Sequence, residues 1–262
     1  MKQRLHILGC GISAPGLPDM AALARVLDGG ELDETAKAGA GISLLSPRER
    51  RRCPETVRLS MAAAEQACTD AGIAPGDPDA VFTSGMGDVA ISDYMCRTLA
   101  ESPDLLSPMR FHNSVHNAAA GYWSIGTGAR GDITALSGAT DSLVAGLIEA
   151  ACRVETSGRP VLLVVYDLHA DGPMEAVWPA RQPFAGALLL GPEKSGGLNL
   201  DLSPIAGLEA DEAPALPSVL AERVADNPAA RVLYLLVAAL ERIPGPIRLA
   251  ARQGPSLLIE RA

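Results

Sequence analysis

Residues 133–147 read ITALSGATDSLVAGL, and this stretch decides the fold. Positions 133–136 are a short apolar run of strand length, Ser137 and Gly138 make a sharp turn, and 141–155 (DSLVAGLIEAACRVE) repeats apolar side chains at helical spacing before stopping at Gly158. Strand, tight turn and helix follow one another with no linker. In such an elbow the turn is exposed and the following helix aims its first N–H groups at developing negative charge, so a nucleophile belongs there. The residue at the end of the strand is Leu136, with Ser137 behind it.

The pattern repeats outward. Downstream, VLLVVY at 161–166 and AGALLL at 185–190 are continuous apolar runs, the mark of central strands covered on both faces. Upstream, 80–84 (AVFTS) reads as a strand, 85–88 as a glycine-bearing loop and 91–101 as a helix. Residues 57–71 (VRLSMAAAEQACTDA) predict a helix with one buried face, ended by Gly72, and 118–127 (AAAGYWSIGT) a helix of small residues that packs closely. A first strand is expected at 5–8, entering a loop at the glycines that follow, then a short helix at 20–27 and a glycine-rich loop at 29–41. Near the end, 216–225 and 230–241 read as helices and 257–260 as a short strand, while 167–183 is proline-rich and irregular, a surface or interface loop. Alternating strands and helices predict an α/β fold, a mixed central sheet flanked by helices, as one unit over 1–262.

Composition narrows the function. With 48% hydrophobic and only 3% aromatic residues in 262, the core is built from small aliphatic side chains. A formal net charge of −9 with no offsetting basic block argues against nucleic-acid binding. The arginine run at 47–52 (PRERRR) reads as a solvated face ahead of a phosphate site. Cys10, Cys53, Cys68, Cys96 and Cys152 are scattered, which suggests neither a disulfide framework nor zinc, and reduced thiols fit a cytoplasmic protein. No apolar run is long enough for a membrane span, and the short apolar start is broken by glycine.

Residues 107–147, SPMRFHNSVHNAAAGYWSIGTGARGDITALSGATDSLVAGL, resemble the active-site region of the β-ketoacyl synthases of the thiolase superfamily. Asn117, Ala120 and Gly121 match an N-x-x-A-G motif, Gly128 and Gly131 a glycine segment, and Thr134 and Ala135 the start of a T-A-C strand end; at the cysteine position stands Leu136. The helix and turn at 62–75, the strand and glycine loop at 80–87 and PFAGALLLG at 183–191 extend the match to roughly residues 1–192, with 193–262 as a C-terminal extension. This corresponds to the N-terminal half of a synthase. The resemblance implies a thiolase-like half-fold acting in acyl-carrier-protein-dependent fatty-acid or polyketide-type synthesis, with no cofactor.

Leucine has no atom able to attack a thioester, so the family's covalent step is unavailable at Leu136. The family's catalytic histidines lie in its C-terminal half, and after Asp167 the sequence offers only His169. Loss of the cysteine is similar to what is found in chain length factors, and the shortened form resembles the chain-length-factor-like proteins of aryl polyene and related fatty-acid-type pathways. The expected role is a non-catalytic partner of an active ketosynthase, with an acyl carrier protein as a further partner, in a homo- or hetero-oligomer. Met109, Phe111, His112, Asn117, Thr134 and Ala135 are the candidates for the acyl pocket or the interface, because the aligned synthase segment lies there.

Other readings compete. Ser137 as a nucleophile with Asp141 beyond it would make an independent acyltransferase or thioesterase, although a serine at a helix start is more often an N-cap. His112 and His116 have a spacing that could hold a metal on one helical face, but no third ligand accompanies them and no metal is expected. Gly9, Gly11, Gly85 and Gly87 lack the third glycine and the acidic residue of a dinucleotide fingerprint.

Overall fold

The computed structural model describes residues 3–192, 199–242 and 245–261. Strand β1 (Gln3–Ser13) does not end at Leu8 as the sequence suggested but runs on through both glycines. The reason is packing against α3 (Glu55–Ala71): a Cβ at Gly9 would lie 2.3 Å from Ala67 O and one at Gly11 2.0 Å from Ala63 O. Glycine here admits a helix to the strand surface and marks no turn. α1 (Met20–Leu27) is capped by the Asp19 carboxylate, which accepts from Ala22 N. The arginine run is a short helix, α2 (Pro47–Arg52), closed by a reciprocal Ser46–Glu49 capping box. α3 stops where Gly72 turns left-handed, at φ 65°.

The order continues β2 (Asp79–Thr83), α4 (Val89–Glu101), α5 (Pro108–His112), α6 (Ala118–Thr127), β3 (Ile133–Leu136), α7 (Ser142–Ser157), β4 (Val161–Asp167) and β5 (Phe184–Pro192). It closes with β6 (Asn199–Ile205), α8 (Ser218–Asp226), α9 (Leu233–Ala239), β7 (Ile247–Leu249) and β8 (Ser256–Arg261). The strands form one mixed sheet in the order β3-β2-β4-β5-β1-β6-β8-β7, parallel across β3, β2 and β4 and antiparallel elsewhere. Alternate residues of β4 feed two cores. Val161, Leu163 and Val165 pack with α7 and α9, whereas Leu162, Val164 and Tyr166 pack with α3 and α6. Each such side chain, fully buried, is worth ~1.5–3 kcal/mol, and the continuous apolar sequence of β4 follows from having no solvent face.

Beyond β1 the last strands continue the same sheet. One side of β1 and β6 carries polar pairs, Arg4 with Asp201 and His6 with Asn199. The edge at β7 is covered, since Glu212 bridges Arg248. At the opposite edge, β3 pairs with β2 and with no further strand among the described residues. The segment expected as one helix at 230–241 is a 3-10 turn at 228–232 followed by α9.

Candidate functional site

At the elbow, Leu136 is half-buried and packs against the core on the α7 side of the sheet. The Ser137 hydroxyl donates to Gly85 O at 2.8 Å and accepts from Ala139 N at 3.2 Å. It is not the helix cap. A 3-10 turn over Ala139–Asp141, entered with Ala139 at φ 51°, separates it from the first residue of α7, Ser142. Ser142 Oγ accepts from Gly138 N and donates to Ala139 O, which fixes the turn. Asp141 faces away from Ser137: its Oδ2 accepts from the backbone N–H groups of Arg252 and Gln253 at 2.7 and 3.1 Å. Arg231 completes this anchor, donating to Thr140 O at 3.2 Å and Ala250 O at 2.6 Å while pairing with Asp211. Among the described residues no histidine or carboxylate is hydrogen-bonded to Ser137, so the elbow holds a hydroxyl without a base.

Beneath the elbow lies a buried carboxyl that sequence reasoning missed. Asp167, at the end of β4, is 1% exposed; its Oδ1 accepts from Ser84 Oγ and Gly85 N, both at 2.8 Å, and its Oδ2 has no partner. Desolvation raises its pKa from 3.8 to about 7, against the lowering by hydrogen bonds from Ser84 and from the backbone N–H groups of Gly85 and Met86. Asn227 Nδ2 donates to Asp167 O and to Gln182 O, tying the 3-10 turn to the loop at 168–183. That loop is not wholly superficial: Trp178 is buried, and its ring would occupy the place of any Cβ on Gly85. Gly85 and Gly87 thus serve a tight indole contact and a φ of +64°, with no phosphate cradle needed to explain them.

The remaining candidates divide between the helices α5 and α6 and the edge strand β3. Met109, His112, Asn117, Gly121, Tyr122 and Ile125 line a mostly apolar cavity of roughly 660 Å³ between α2, α5 and α6. Phe111 lies outside that lining and is 57% exposed; Met109 is 48% and Ile125 70% exposed. His112 ends α5, and His116 stands beyond the helix with Nε2 2.9 Å from Ser84 O, so the two imidazoles do not share a helical face. Thr134 and Ala135 sit half-buried on β3; Thr134 Oγ1 accepts from Arg153, and Ala135 packs under the α6 side. The arginines of α2 are mostly exposed beside the cavity, and Arg52 lines it.

A family model described as the N-terminal domain of β-ketoacyl synthases matches residues 30–233. The chain belongs to the β-ketoacyl synthase N-terminal-domain family. No curated protein matches its sequence. Among solved structures, this synthase-family chain superposes on one described as a ketosynthase (ApeO) in complex with its chain length factor (ApeC) from Xenorhabdus doucetiae. The identity is 21% and the TM-score 0.71, over 98% of this chain and 99% of that one. The ishigamide ketosynthase/chain length factor gives 15% identity and a TM-score of 0.67, over 97% and 98%. A ketosynthase from module 1 of the bacillaene synthase of Bacillus amyloliquefaciens FZB42 gives 13% and 0.54, with 80% of this chain covering 46% of that one. The fold is therefore the thiolase-like ketosynthase half-fold. No helix of the described residues is long and apolar enough to cross a membrane.

Proposed function

We propose that this chain is a non-catalytic, chain-length-factor-like subunit that binds an active ketosynthase and helps wall its acyl tunnel in acyl-carrier-protein-dependent fatty-acid, polyketide or aryl polyene synthesis. The observation that carries it is Leu136 at the elbow: the position that needs a nucleophile holds a hydrocarbon packed into the core. The open β3 edge supports an interface, because an unpaired edge is otherwise an aggregation hazard, and exposed Met109, Phe111, Val115 and Ile125 offer apolar surface to a partner. The names of the structural neighbours, ketosynthases with their chain length factors, point to the same partner. Exposed arginines of α2, in a chain of net charge −9, suit an acidic carrier protein arriving at the cavity.

The test is co-expression of the tagged chain with a candidate ketosynthase. A stoichiometric complex is expected, and Phe111→Ala should weaken it by about 1–3 kcal/mol, the range for a central aromatic anchor. A well-behaved monomer at micromolar concentration, unchanged by every ketosynthase offered, would contradict the proposal.

A further inference from the structure

The apolar cavity between α2, α5 and α6 contains one interior polar group that walling a hydrocarbon chain does not use. Among the described residues that line it, Asn113 alone is buried, at 4% exposed, whereas Arg52, His112 and Asn117 are open to solvent. Its backbone is fixed as the C-terminal cap of α5, the N–H donating to Arg110 O at 3.1 Å and Met109 O at 3.3 Å. Its side chain is held from one end: Oδ1 accepts from the Tyr122 hydroxyl at 3.3 Å, and Tyr122 also lines the cavity. Nothing among the described residues accepts from Asn113 Nδ2, and that nitrogen is not sealed off from the cavity. The amide nitrogen carries two N–H donors, so the wall presents an oriented donor with no protein partner.

We propose that Asn113 sets the specificity of this cavity, which takes an aliphatic chain carrying a carbonyl oxygen in preference to one that is hydrocarbon throughout. Met109, Val115 and Ile125 supply apolar wall for such a chain. A chain that enters strips the hydration from the amide N–H groups. A ketone oxygen, an acceptor without a proton, restores the lost bond, whereas a methylene at the same point leaves the donor unpaired. The discrimination is asymmetric, because an unpaired buried donor costs more than a made bond gains. Glu49, the carboxylate in the same wall, is already engaged, accepting from Ser46 N at 3.0 Å in the α2 capping box. Tyr122 is a positioning residue: its hydroxyl occupies Oδ1 and leaves the N–H end of the amide for the ligand. Where the cavity joins a ketosynthase's acyl tunnel, which rests on the function proposed above, Asn113 favours chains that keep a carbonyl over fully reduced ones.

The experiment uses the full chain without a partner, so its failure is distinct from a failure of that function. Decanoate and the oxodecanoates that carry a single ketone at successive chain carbons are titrated by calorimetry, and the Asn113 side-chain amide is followed by ¹⁵N NMR. All the probes share one carboxylate and one chain length, so a difference between them reports the ketone. A neutral hydrogen bond changes affinity about two- to twelvefold, so at least one oxodecanoate should bind more tightly than decanoate by that factor. That ligand should move the Asn113 Nδ2–H resonances downfield, and decanoate should not. Asn113→Leu should erase the preference, the ratio of the two affinities falling to one or below, and Tyr122→Phe should reduce it. Decanoate binding as tightly as every oxodecanoate would overturn the proposal, as would a preference unchanged in Asn113→Leu or no binding of any probe. Should Asn113→Leu not fold, the wild-type resonances and Tyr122→Phe decide, and an Asn113 amide unmoved by the tightest ligand counts against it.

Discussion

Leu136 shows how one side chain bears on the proposed role. The strand-turn-helix elbow is present, yet the position is hydrocarbon, and the five residues between β3 and α7 include a 3-10 turn, so the helix starts later than a nucleophile elbow read from sequence places it. Leu136→Cys should gain a half-buried thiol with no base hydrogen-bonded to the neighbouring Ser137, and burial opposes the thiolate. Iodoacetamide should label it no faster than the exposed Cys96 and Cys152, and no β-ketoacyl product should form from malonyl donors. Peptide mapping after timed alkylation checks the first expectation. Asp167 sets a pH dependence with a definite sign. Its folded pKa of about 7 exceeds the ordinary 3.8, so between these values the folded state binds the extra proton. Its contribution to stability is fully present at the acid end, is lost as pH rises towards 7, and is constant above that. Asp167→Asn should flatten this fall in thermal denaturation curves taken from pH 5 to 8.

At the scale of elements, legibility followed whether a signal was local. α1, α6 and β3 lie where the sequence placed them, because cap, periodicity and stop are written within each segment. The glycines of β1 read as a turn signal in the sequence, whereas in the fold they answer α3 packed on the strand. β6 went unseen. Its sequence NLDLSPI contains Pro204, tolerated because β1 pairs only with positions 199–202 and leaves that stretch free on one side. The site was readable only in part: the T-A-L strand end marked the position where the resemblance puts a cysteine, but Asp167 and Arg231 act on partners 82 to 83 and 91 positions away. No window of sequence displays such pairs. Arg231 lets the C-terminal segment hold the elbow, with side chains of Arg231 and Asp211 only 11% and 16% exposed. Arg231→Ala should destabilise the chain by about 3–5 kcal/mol, the cost of leaving a buried charge without its partner. Urea denaturation measures this, and a loss under about 1 kcal/mol, the typical worth of a surface ion pair, would show the anchor to be superficial.

For the whole molecule, the two sheet edges tell opposite stories. One is bridged by Glu212 to Arg248 and the strands beyond β1 show a polar face, while the other ends at β3 and the elbow with no further strand among the described residues. That asymmetry, with a hydrocarbon at Leu136, is the basis of the proposed role in association. The most direct test is mass spectrometry of the purified wild-type chain incubated with acyl- and malonyl-carrier-protein donors, alone and with an active ketosynthase. The expected result is no acyl adduct on this chain and no β-ketoacyl product without the ketosynthase, with product length altered when both are present. An acyl adduct on Ser137, or condensation product from this chain alone, would contradict it.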